Sequence, residues 1–465
     1  MRTVFPCLIA VASFFLTVSP GIAEDAPRPN ILFIQADDLG WTDLGCQGSE
    51  YYETPNIDCL AAQGIRFTRF YVSPNCTPSR AALLSGQYAP RTGIYTVGDT
   101  VRGDAEDRKL NVPENVRDLP LDRKTLGDVA KAAGYATGIF GKWHVGVDGD
   151  HHPAKRGFDE AITSQGKHYG FVTKPLVDHP ADEYYTDFVT ARGVDFIHRH
   201  KAEPFFLYIP YFAVHSPIDP KPEYAARWKD KPAKGTHWNS KYAAMIQSLD
   251  EGVGRLLDAL DVNGLAGNTL VIFTSDNGGV GGYARTEPPG EHPMVTSNEP
   301  LRGGKGTLYE GGVRVPFIVR WPGVAPAGTT CAAPIAHIDF LPTLADLLSV
   351  PQPKQPLDGV SLLPLFRDPA GSLPARNLYL HFPGYLESYV RESGWRTTPA
   401  AYVIAGDWKL IRYFEDNRAE LYNLAQDPGE HEDVAATQPE KVKELGDALA
   451  QWQRDIHAAM PTPKQ

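Results

Sequence analysis

The sequence predicts an α/β fold followed by a smaller α+β region. Several apolar runs of strand length end in polar or glycine-rich residues, as the strands of an open sheet do. Between two of these runs, apolar side chains recur at helical spacing over residues 242–260. Beyond about residue 365, short apolar runs alternate with turn residues, which indicates an antiparallel sheet. The strand-like runs are residues 30–36, 136–140, 205–209 and 269–275.

The composition is typical of a globular protein that does not bind nucleic acid. Of 465 residues, 42% are hydrophobic and 22% are charged, and the formal net charge is -11. This negative charge argues against nucleic acid or an anionic membrane as a partner, so attraction for an anionic substrate must be local to a pocket. The length predicts one large domain, residues 24–365, with a smaller companion, residues 366–465.

The first 23 residues have the pattern of a secretory signal. Arg2 precedes an apolar run over residues 4–18, and residues 21–23 offer small side chains at the positions that define cleavage. A membrane anchor is the alternative, but the run is short. We expect an exported protein, periplasmic or secreted, whose mature chain begins near Glu24 and does not associate with a membrane. The cysteines left after cleavage are Cys46, Cys59, Cys76 and Cys331, too few for a disulfide scaffold.

Capping residues and periodicity place the remaining elements. Thr54 with Pro55 begins a helix that ends at Gly64, and Thr125 begins one that ends at Gly134. The other predicted helices are residues 336–348 and about 440–456, and the other predicted strands are residues 313–321, 378–381, 402–405, 408–412 and 420–422.

The stretch Cys76-Thr77-Pro78-Ser79-Arg80 separates an extended apolar segment from an alanine- and leucine-rich run. Because proline suits a first helical turn, Cys76 is predicted at or just before a helix N-terminus. Free amide groups and the positive end of the helix dipole favour negative charge there. Arg80 follows about one turn later and can return over the same end. A buried structural thiol is the alternative interpretation of Cys76.

Two pairs of oxygen-bearing side chains follow predicted strands. Asp37-Asp38 comes after residues 30–36, and Asp276-Asn277 comes after residues 269–275. Adjacent carboxylates repel each other unless a cation lies between them, and hard oxygen ligands favour calcium or magnesium over zinc. An ordinary turn explains either pair alone. Together they predict four side-chain oxygens around one cation, with residue 76 completing the shell.

Basic side chains also follow strands or lie among glycines. Lys142 and His144 follow residues 136–140, and an extended backbone would point both to the same side. His215 follows another strand, and the glycines around Lys305 would let the backbone approach a ligand. Taken singly, Lys142 and His144 would be ordinary solvated surface, His215 a core histidine, and Lys305 part of a flexible surface loop. Turn-rich loops, predicted to be exposed or to contact substrate, carry His151, His152, Lys167 and His168.

Considered together, these motifs resemble the type I sulfatases. The resemblance is carried by Cys-x-Pro-x-Arg at residues 76–80, by residues 141–146 and by Ala-x-His-x-Pro at residues 213–217. Ser85 and Gln87 depart from the family's commonest sequence, which has Thr and Arg at these positions. Two C-terminal segments, residues 406–410 and 421–424, also resemble the family, so the resemblance spans nearly the whole mature chain.

The resemblance implies an alkaline-phosphatase-like sandwich with a central mixed sheet, a calcium ion, and a formylglycine made from Cys76 by a formylglycine-generating enzyme. In the hydrated aldehyde one hydroxyl attacks sulfur, and the other later expels sulfate. By the same resemblance, the calcium ligands are Asp37, Asp38, Cys76, Asp276 and Asn277. Arg80 would stabilise the hydrate, and Lys142 and Lys305 would neutralise the charge of the sulfuryl oxygens. His215, aided by Lys305, would protonate the leaving alcohol. His144 would deprotonate the second hydroxyl.

The expected activity is hydrolysis of a sulfate ester on a carbohydrate, by exo action on a sugar of the galactose or N-acetylgalactosamine type. A phosphomonoester or phosphodiester hydrolase on the same scaffold is one alternative, which matched aryl sulfate and phosphate esters distinguish. A non-catalytic protein that binds sulfated glycans is the other. It would keep Cys76 as a thiol and bind sulfate without cleaving it.

Overall fold

The computed structural model describes residues 28–281, 294–388 and 394–464, and the predicted signal segment lies outside these described residues. In chain order, the strands are β1 (Asn30–Ala36), β2 (Ile65–Tyr71), β3 (Leu110–Asn111), β4 (Ala136–Gly141), β5 (Glu160–Thr163), β6 (Phe205–Pro210), β7 (Thr269–Ser275), β8 (Arg314–Arg320), β9 (Thr329–Cys331), β10 (Ile335–Ala336), β11 (Leu378–Phe382), β12 (Leu386–Glu387), β13 (Trp395–Thr397), β14 (Ala400–Ala405), β15 (Trp408–Tyr413), β16 (Ala419–Asn423) and β17 (Thr462–Pro463).

The α-helices lie between the strands in the first part of the chain and close its last part. They are α1 (Pro55–Ala62), α2 (Cys76–Ser85), α3 (Ala89–Thr92), α4 (Leu126–Ala132), α5 (Tyr185–Arg199), α6 (Pro222–Trp228), α7 (Ser240–Val262), α8 (Glu310–Val313), α9 (Phe340–Leu347), α10 (Leu363–Arg367) and α11 (Pro439–Asp455). Within the described ranges, no helix is both long enough and apolar enough to cross a membrane.

A nine-stranded mixed sheet forms the centre of the described structure, in the order β10-β2-β8-β7-β1-β6-β4-β5 with β9 also paired to β2. The central strand β1 is parallel to both neighbours, so that Ile31 aligns with Phe206 on one side and with Leu270 on the other. β4 is parallel to β6, whereas β8 is antiparallel to β7 and β2. The carboxyl ends of β1, β4, β6 and β7 therefore share one edge of the sheet.

Helices cover both faces of this sheet because the side chains of β1 alternate between two apolar layers. Ile31 and Phe33 belong to the layer formed with α2, α4 and α9. Leu32 and Ile34 belong to the layer formed with α1, α5 and α7. The predicted α/β sandwich with a central mixed sheet is confirmed.

The last part of the described chain adds an antiparallel sheet in the order β11-β14-β15-β16, as predicted. On one face, Val403 and Leu410 pack with Leu445 and Leu449 of α11. On the other face, Tyr402 and its neighbours pack with residues of β2 and α2. The predicted division at residue 365 stays a prediction, and that residue lies inside α10 among the side chains of the large core.

Most predicted elements are present, with small shifts at their ends. The runs at 30–36 and 269–275 form β1 and β7 as predicted, and Thr125 caps α4 through a reciprocal bond with Asp128. The helix predicted from residue 336 begins only at Phe340, because Ile335–Ala336 pairs with β2. Helix α5 was not predicted. Its Gly193 lets it approach α7, since a Cβ there would lie 2.8 Å from Leu256.

Candidate active site

The acidic pairs meet where β1 and β7 end. Asp37 and Asp38 follow β1, Asp276 and Asn277 follow β7, and all four are buried. Asp38 has a positive φ of 61°, and its backbone N–H donates to Oδ1 of Asp276 over 3.2 Å. The two loops that sequence reasoning paired are therefore linked directly.

Cys76 is the first residue of α2, as predicted, and is 1% exposed. Its Sγ lies 3.5 Å from Oδ1 of Asp37 and 3.9 Å from Oδ1 of Asp38. Burial opposes ionisation of the thiol, but the charges of Lys142 and Lys305 outweigh it and lower the pKa of Cys76 to about 7. The thiol therefore stands at the carboxylate pair in a site that favours negative charge. Cys46, Cys59 and Cys331 are free thiols too.

Arg80, Lys142 and Lys305 each lie nearest to a different carboxylate, and Nη2 of Arg80 also lies 3.6 Å from Asp37. Nη2 of Arg80 lies 2.8 Å from Asp276, Nζ of Lys142 lies 2.5 Å from Asp37, and Nζ of Lys305 lies 2.7 Å from Asp38. Arg80 also donates from Nη1 to the carbonyl of Lys142 over 2.7 Å. Its contact with Asp37, which lies 3.5 Å from Sγ of Cys76, brings the guanidinium back toward the start of α2, as predicted. The formal charges of these six side chains balance.

His144 reaches the same site by a different backbone from the one predicted. The extended backbone predicted for Lys142 and His144 is wrong, because His144 lies in the left-handed region with φ 62° after β4 has ended. Burial, together with the charges of Lys142 and Arg80, holds the pKa of His144 well below its ordinary value. Its Nδ1 is buried and has no hydrogen-bond partner among the described residues.

His215 lies beside Asp38. Its Nε2 is 3.6 Å from Oδ2 of Asp38, and its Nδ1 is 2.5 Å from the carbonyl of Ser216, to which it donates. Burial disfavours the imidazolium, but the charges of Asp38 and Asp37 outweigh burial and raise the pKa of His215. The two histidines predicted to be catalytic therefore have pKa values moved in opposite directions.

His168 is a member of this region that sequence reasoning did not assign to the site. Exposure, which its turn-rich loop predicted, is wrong, because the residue is 1% exposed. Its Nε2 lies 2.8 Å from the carbonyl of His215, and the ring of Phe212 lies 4.8 Å from the ring of His168 and 4.9 Å from that of His215. Spacing offers no signal for this contact, because it joins two loops 47 residues apart.

The donor set fits a hard cation. Ligand atoms of Asp37, Asp38, Cys76 and His215 all lie within 4.8 Å of one another. Asn277 donates through Nδ2 to Asp38 over 2.8 Å, while its Oδ1 is buried and has no hydrogen-bond partner in the described part of the chain. A buried amide oxygen without a donor, on a residue that contacts Asp38, suits an oxygen ligand of calcium or magnesium.

Comparison with known families assigns the chain that carries this arrangement to one of them. A family model described as Sulfatase matches residues 29–350, which include the Cys76 motif and both acidic pairs. The chain belongs to the sulfatase family. A second family model, described as N-sulphoglucosamine sulphohydrolase, C-terminal, matches residues 304–455. The protein is thus an enzyme, a sulfuric ester hydrolase, as the motifs predicted.

Named relatives agree with this assignment. A sulfatase of Formosa agariphila is 35% identical over 508 residues, covering 92% of this chain and 89% of the relative. N-acetylgalactosamine-6-sulfatase of Homo sapiens is 36% identical over 369 residues, covering 74% and 66%. Steryl-sulfatase of Mus musculus is 30% identical over 585 residues, covering 99% and 88%.

Solved structures support the fold of the sulfatase. Ps i-CgsB in complex with k-i-k-neocarrahexaose has a TM-score of 0.75 at 29% identity, covering 92% of this chain and 93% of that chain. A phosphonate monoester hydrolase of Agrobacterium radiobacter has a TM-score of 0.64 at 21% identity, covering 94% and 100%, and shares the fold.

Proposed function

We propose that this sulfatase removes sulfate esters from carbohydrates through a formylglycine formed at Cys76. The observation that carries the proposal is the position of Cys76, whose Sγ lies 3.5 Å from Asp37 at the start of α2. The proposal includes conversion of Cys76 by a formylglycine-generating enzyme and export by the predicted signal segment. The hydrated aldehyde would supply an attacking hydroxyl and a second hydroxyl whose deprotonation releases sulfate.

Asp37, Asp38, Asp276 and Asn277 would hold a calcium ion beside residue 76. When bound, the ion would polarise a sulfate oxygen and favour the ionised form of the hydrate. Arg80 orients this edge of the site, because it is fixed between Asp276 and the carbonyl of Lys142. The ammonium groups of Lys142 and Lys305, which lie at Asp37 and Asp38, would contact the sulfuryl oxygens and neutralise their charge.

The opposite pKa shifts support one division of acid and base between the two histidines. His215 keeps its proton more strongly than an ordinary histidine, and its Nδ1 is engaged with Ser216, so Nε2 would donate a proton to the leaving alcohol. His144 stays neutral and has a buried Nδ1 without a partner among the described residues, so it would accept a proton from the second hydroxyl.

For the substrate we propose a sulfated sugar of the galactose or N-acetylgalactosamine type, cleaved by exo action. The similarity to N-acetylgalactosamine-6-sulfatase and to the neocarrahexaose-bound Ps i-CgsB supports a carbohydrate. The similarity to steryl-sulfatase shows that the family scaffold also serves other alcohols. A desulfation screen over sulfated galactose, N-acetylgalactosamine and glucosamine, with an aryl sulfate alongside, should show the fastest release from the first two.

Two measurements test the chemistry. Mass spectrometry of the peptide at residues 70–80, from protein made with a formylglycine-generating enzyme, should show the aldehyde in place of the thiol. Turnover of matched aryl sulfate and aryl phosphate esters should favour the sulfate. A thiol at Cys76 with full activity would contradict the mechanism, and preference for the phosphate would identify the protein as a phosphoester hydrolase instead.

A further inference from the structure

The peptide segment Lys305-Gly306 connects parts of the active site that come from distant regions of the chain. The N–H of Lys305 donates to the carbonyl of Gly279 over 2.9 Å, which links it to the loop that carries Asn277. The N–H of Gly306 donates to the carbonyl of Pro74 over 2.6 Å, just before Cys76. The side chain of Lys305 meanwhile pairs with Asp38.

Both carbonyls of the same segment accept bonds from the hairpin formed by β12 and β13. Oγ1 of Thr397 donates to the carbonyl of Gly306 over 2.7 Å in a buried position, and Nη1 of Arg396 donates to the carbonyl of Lys305 over 3.3 Å. Arg396 also donates from Nη2 to the carbonyl of Glu387 over 3.1 Å, on the facing strand of the hairpin. Each backbone donor and acceptor of Lys305-Gly306 is therefore in use.

Gly306 packs closely against the hairpin. Gly306 has φ 89°, in the left-handed region, and an added Cβ would lie 2.7 Å from Cδ of Arg396 and 3.2 Å from Leu386. Thr397 is 7% exposed, so loss of its hydroxyl would leave the carbonyl of Gly306 buried without that donor.

We propose that Thr397 and Arg396 are positioning residues for the reaction, because they hold the Lys305-Gly306 backbone and so set the place of the Lys305 ammonium relative to Cys76. This inference rests on the role given to Lys305 in the proposed function. It assigns a part in catalysis to a hairpin that lies more than 300 residues from Cys76, outside every motif that carried the sequence prediction. Small displacements of a positioned group reduce the rate of the chemical step more than they reduce binding.

The test compares Thr397→Val, which removes the hydroxyl at similar size, with Thr397→Ser, which keeps it, in the matured enzyme. We expect Thr397→Val to lower kcat about tenfold with little change in KM, and Thr397→Ser to stay within about threefold of the parent. Thermal unfolding of both variants verifies that the assay temperature lies below their transitions. Arg412→Ala, at a half-buried side chain of the C-terminal sheet that donates to the carbonyl of Asn417, serves as the control and should leave kcat unchanged.

A double-mutant cycle with Lys305→Ala separates positioning from general damage to the fold. If Thr397 acts through Lys305, Thr397→Val should reduce kcat in the parent and cause no further loss in the Lys305→Ala background. An unchanged kcat for Thr397→Val, or the same loss in both backgrounds, would overturn the inference and leave the proposed function standing. Full activity of Lys305→Ala would instead refute the role of Lys305 itself. Should Thr397→Val not fold, Arg396→Met carries the same cycle with the same criteria.

Discussion

The guanidinium of Arg80 lies 2.8 Å from the carboxylate of Asp276, and neither side chain is exposed to solvent. Nε of Arg80 donates to the same carboxylate over 3.0 Å, while Nη1 donates to the carbonyl of Lys142. One planar group therefore joins α2 to the loops after β7 and β4. A lysine has a single nitrogen and cannot make the three contacts in this geometry.

We predict that Arg80→Lys lowers kcat/KM by about 100-fold or more, because the loops that carry Lys142 and Asp276 lose their common anchor. Lysine keeps the charge but leaves buried hydrogen-bond partners of Arg80 unsatisfied, which should lower the free energy of unfolding by about 1–3 kcal/mol. Steady-state kinetics and urea denaturation measure the two effects. Arg91→Lys, at a half-buried pair with Asp358, is the matched control and should keep activity within about twofold. An equal loss of kcat/KM in Arg80→Lys and Arg91→Lys would contradict the role of Arg80 as the anchor of the active-site loops.

Removal of divalent ions should lower the unfolding temperature and the activity of the enzyme, and added calcium should restore both. The physical reason is that an ion bound only by the folded chain stabilises it, by about 2.7 kcal/mol at a concentration a hundred times the Kd. Asn277→Ala removes the buried Oδ1 without a partner among the described residues, so a higher calcium concentration should be needed for the same thermal shift. Calcium titrations by calorimetry and thermal unfolding provide the measurement. An identical titration for Asn277→Ala would rule out this oxygen as a ligand.

Lys409 is the buried centre of an ion cluster near the contact of the two sheets. Its Nζ lies 3.0 Å from Glu310 and 2.9 Å from Glu430, and all three side chains are inaccessible to solvent. Lys409→Met should lower the free energy of unfolding by about 3–5 kcal/mol, because buried Glu430 loses its cationic partner and Glu310 is left with Arg314, 3.4 Å away. Urea denaturation checks this against Lys443→Met, whose exposed pair with Asp447 should contribute little. Similar stability of both variants would contradict the prediction.

The stability of the protein should fall in mild acid because of His337, which lies behind the Cys76 loop. Burial lowers the pKa of His337 to about 3, and its Nε2 lies 3.1 Å from Oγ of Ser73. The unfolded chain takes up a proton near pH 6.5, whereas the folded chain does not, so stability is complete above that pH and is lost as the pH falls toward 3. The loss from this residue is at most about 1.4 kcal/mol per pH unit.

His337→Gln removes this titration but keeps a donor for Ser73. We expect the free energy of unfolding of His337→Gln, measured by urea between about pH 5 and about pH 7.5, to depend less steeply on pH than that of the parent. Some dependence should remain, because burial also lowers the pKa values of His168 and His381 to about 4. An unchanged slope would show that His337 is not a source of acid sensitivity.

Local patterns in the sequence were sufficient for the strands of the sheet and for most of the chemistry-bearing residues. β1 and β7 are continuous apolar runs because both their faces are covered, and the carboxylates follow them directly. The same logic found Cys76 at the start of α2. It failed for α5, whose apolar side chains Phe188, Val189, Phe196 and Ile197 have helical spacing that could have been recognised.

Other features had no local signal. His168 contacts His215, and Thr397 donates a hydrogen bond to Gly306. Each contact joins two segments that are far apart in the sequence, so no local pattern predicts it. His144 is another residue for which the sequence pattern was insufficient. Its backbone was predicted to be extended, whereas it has a left-handed conformation that the sequence pattern did not indicate.

The sequence by itself determined which residue types stand at the ends of which strands, because apolar runs, caps and short motifs act over a few neighbouring residues. It therefore determined the fold class, the family and the set of candidate catalytic and metal-binding residues. Only the tertiary structure decided which carboxylate each cation meets, how the environments of His144 and His215 separate their pKa values, and that a C-terminal hairpin holds the Lys305 backbone. Those relationships depend on distances and burial between segments far apart in the chain, which only the packing of the sheets and helices sets.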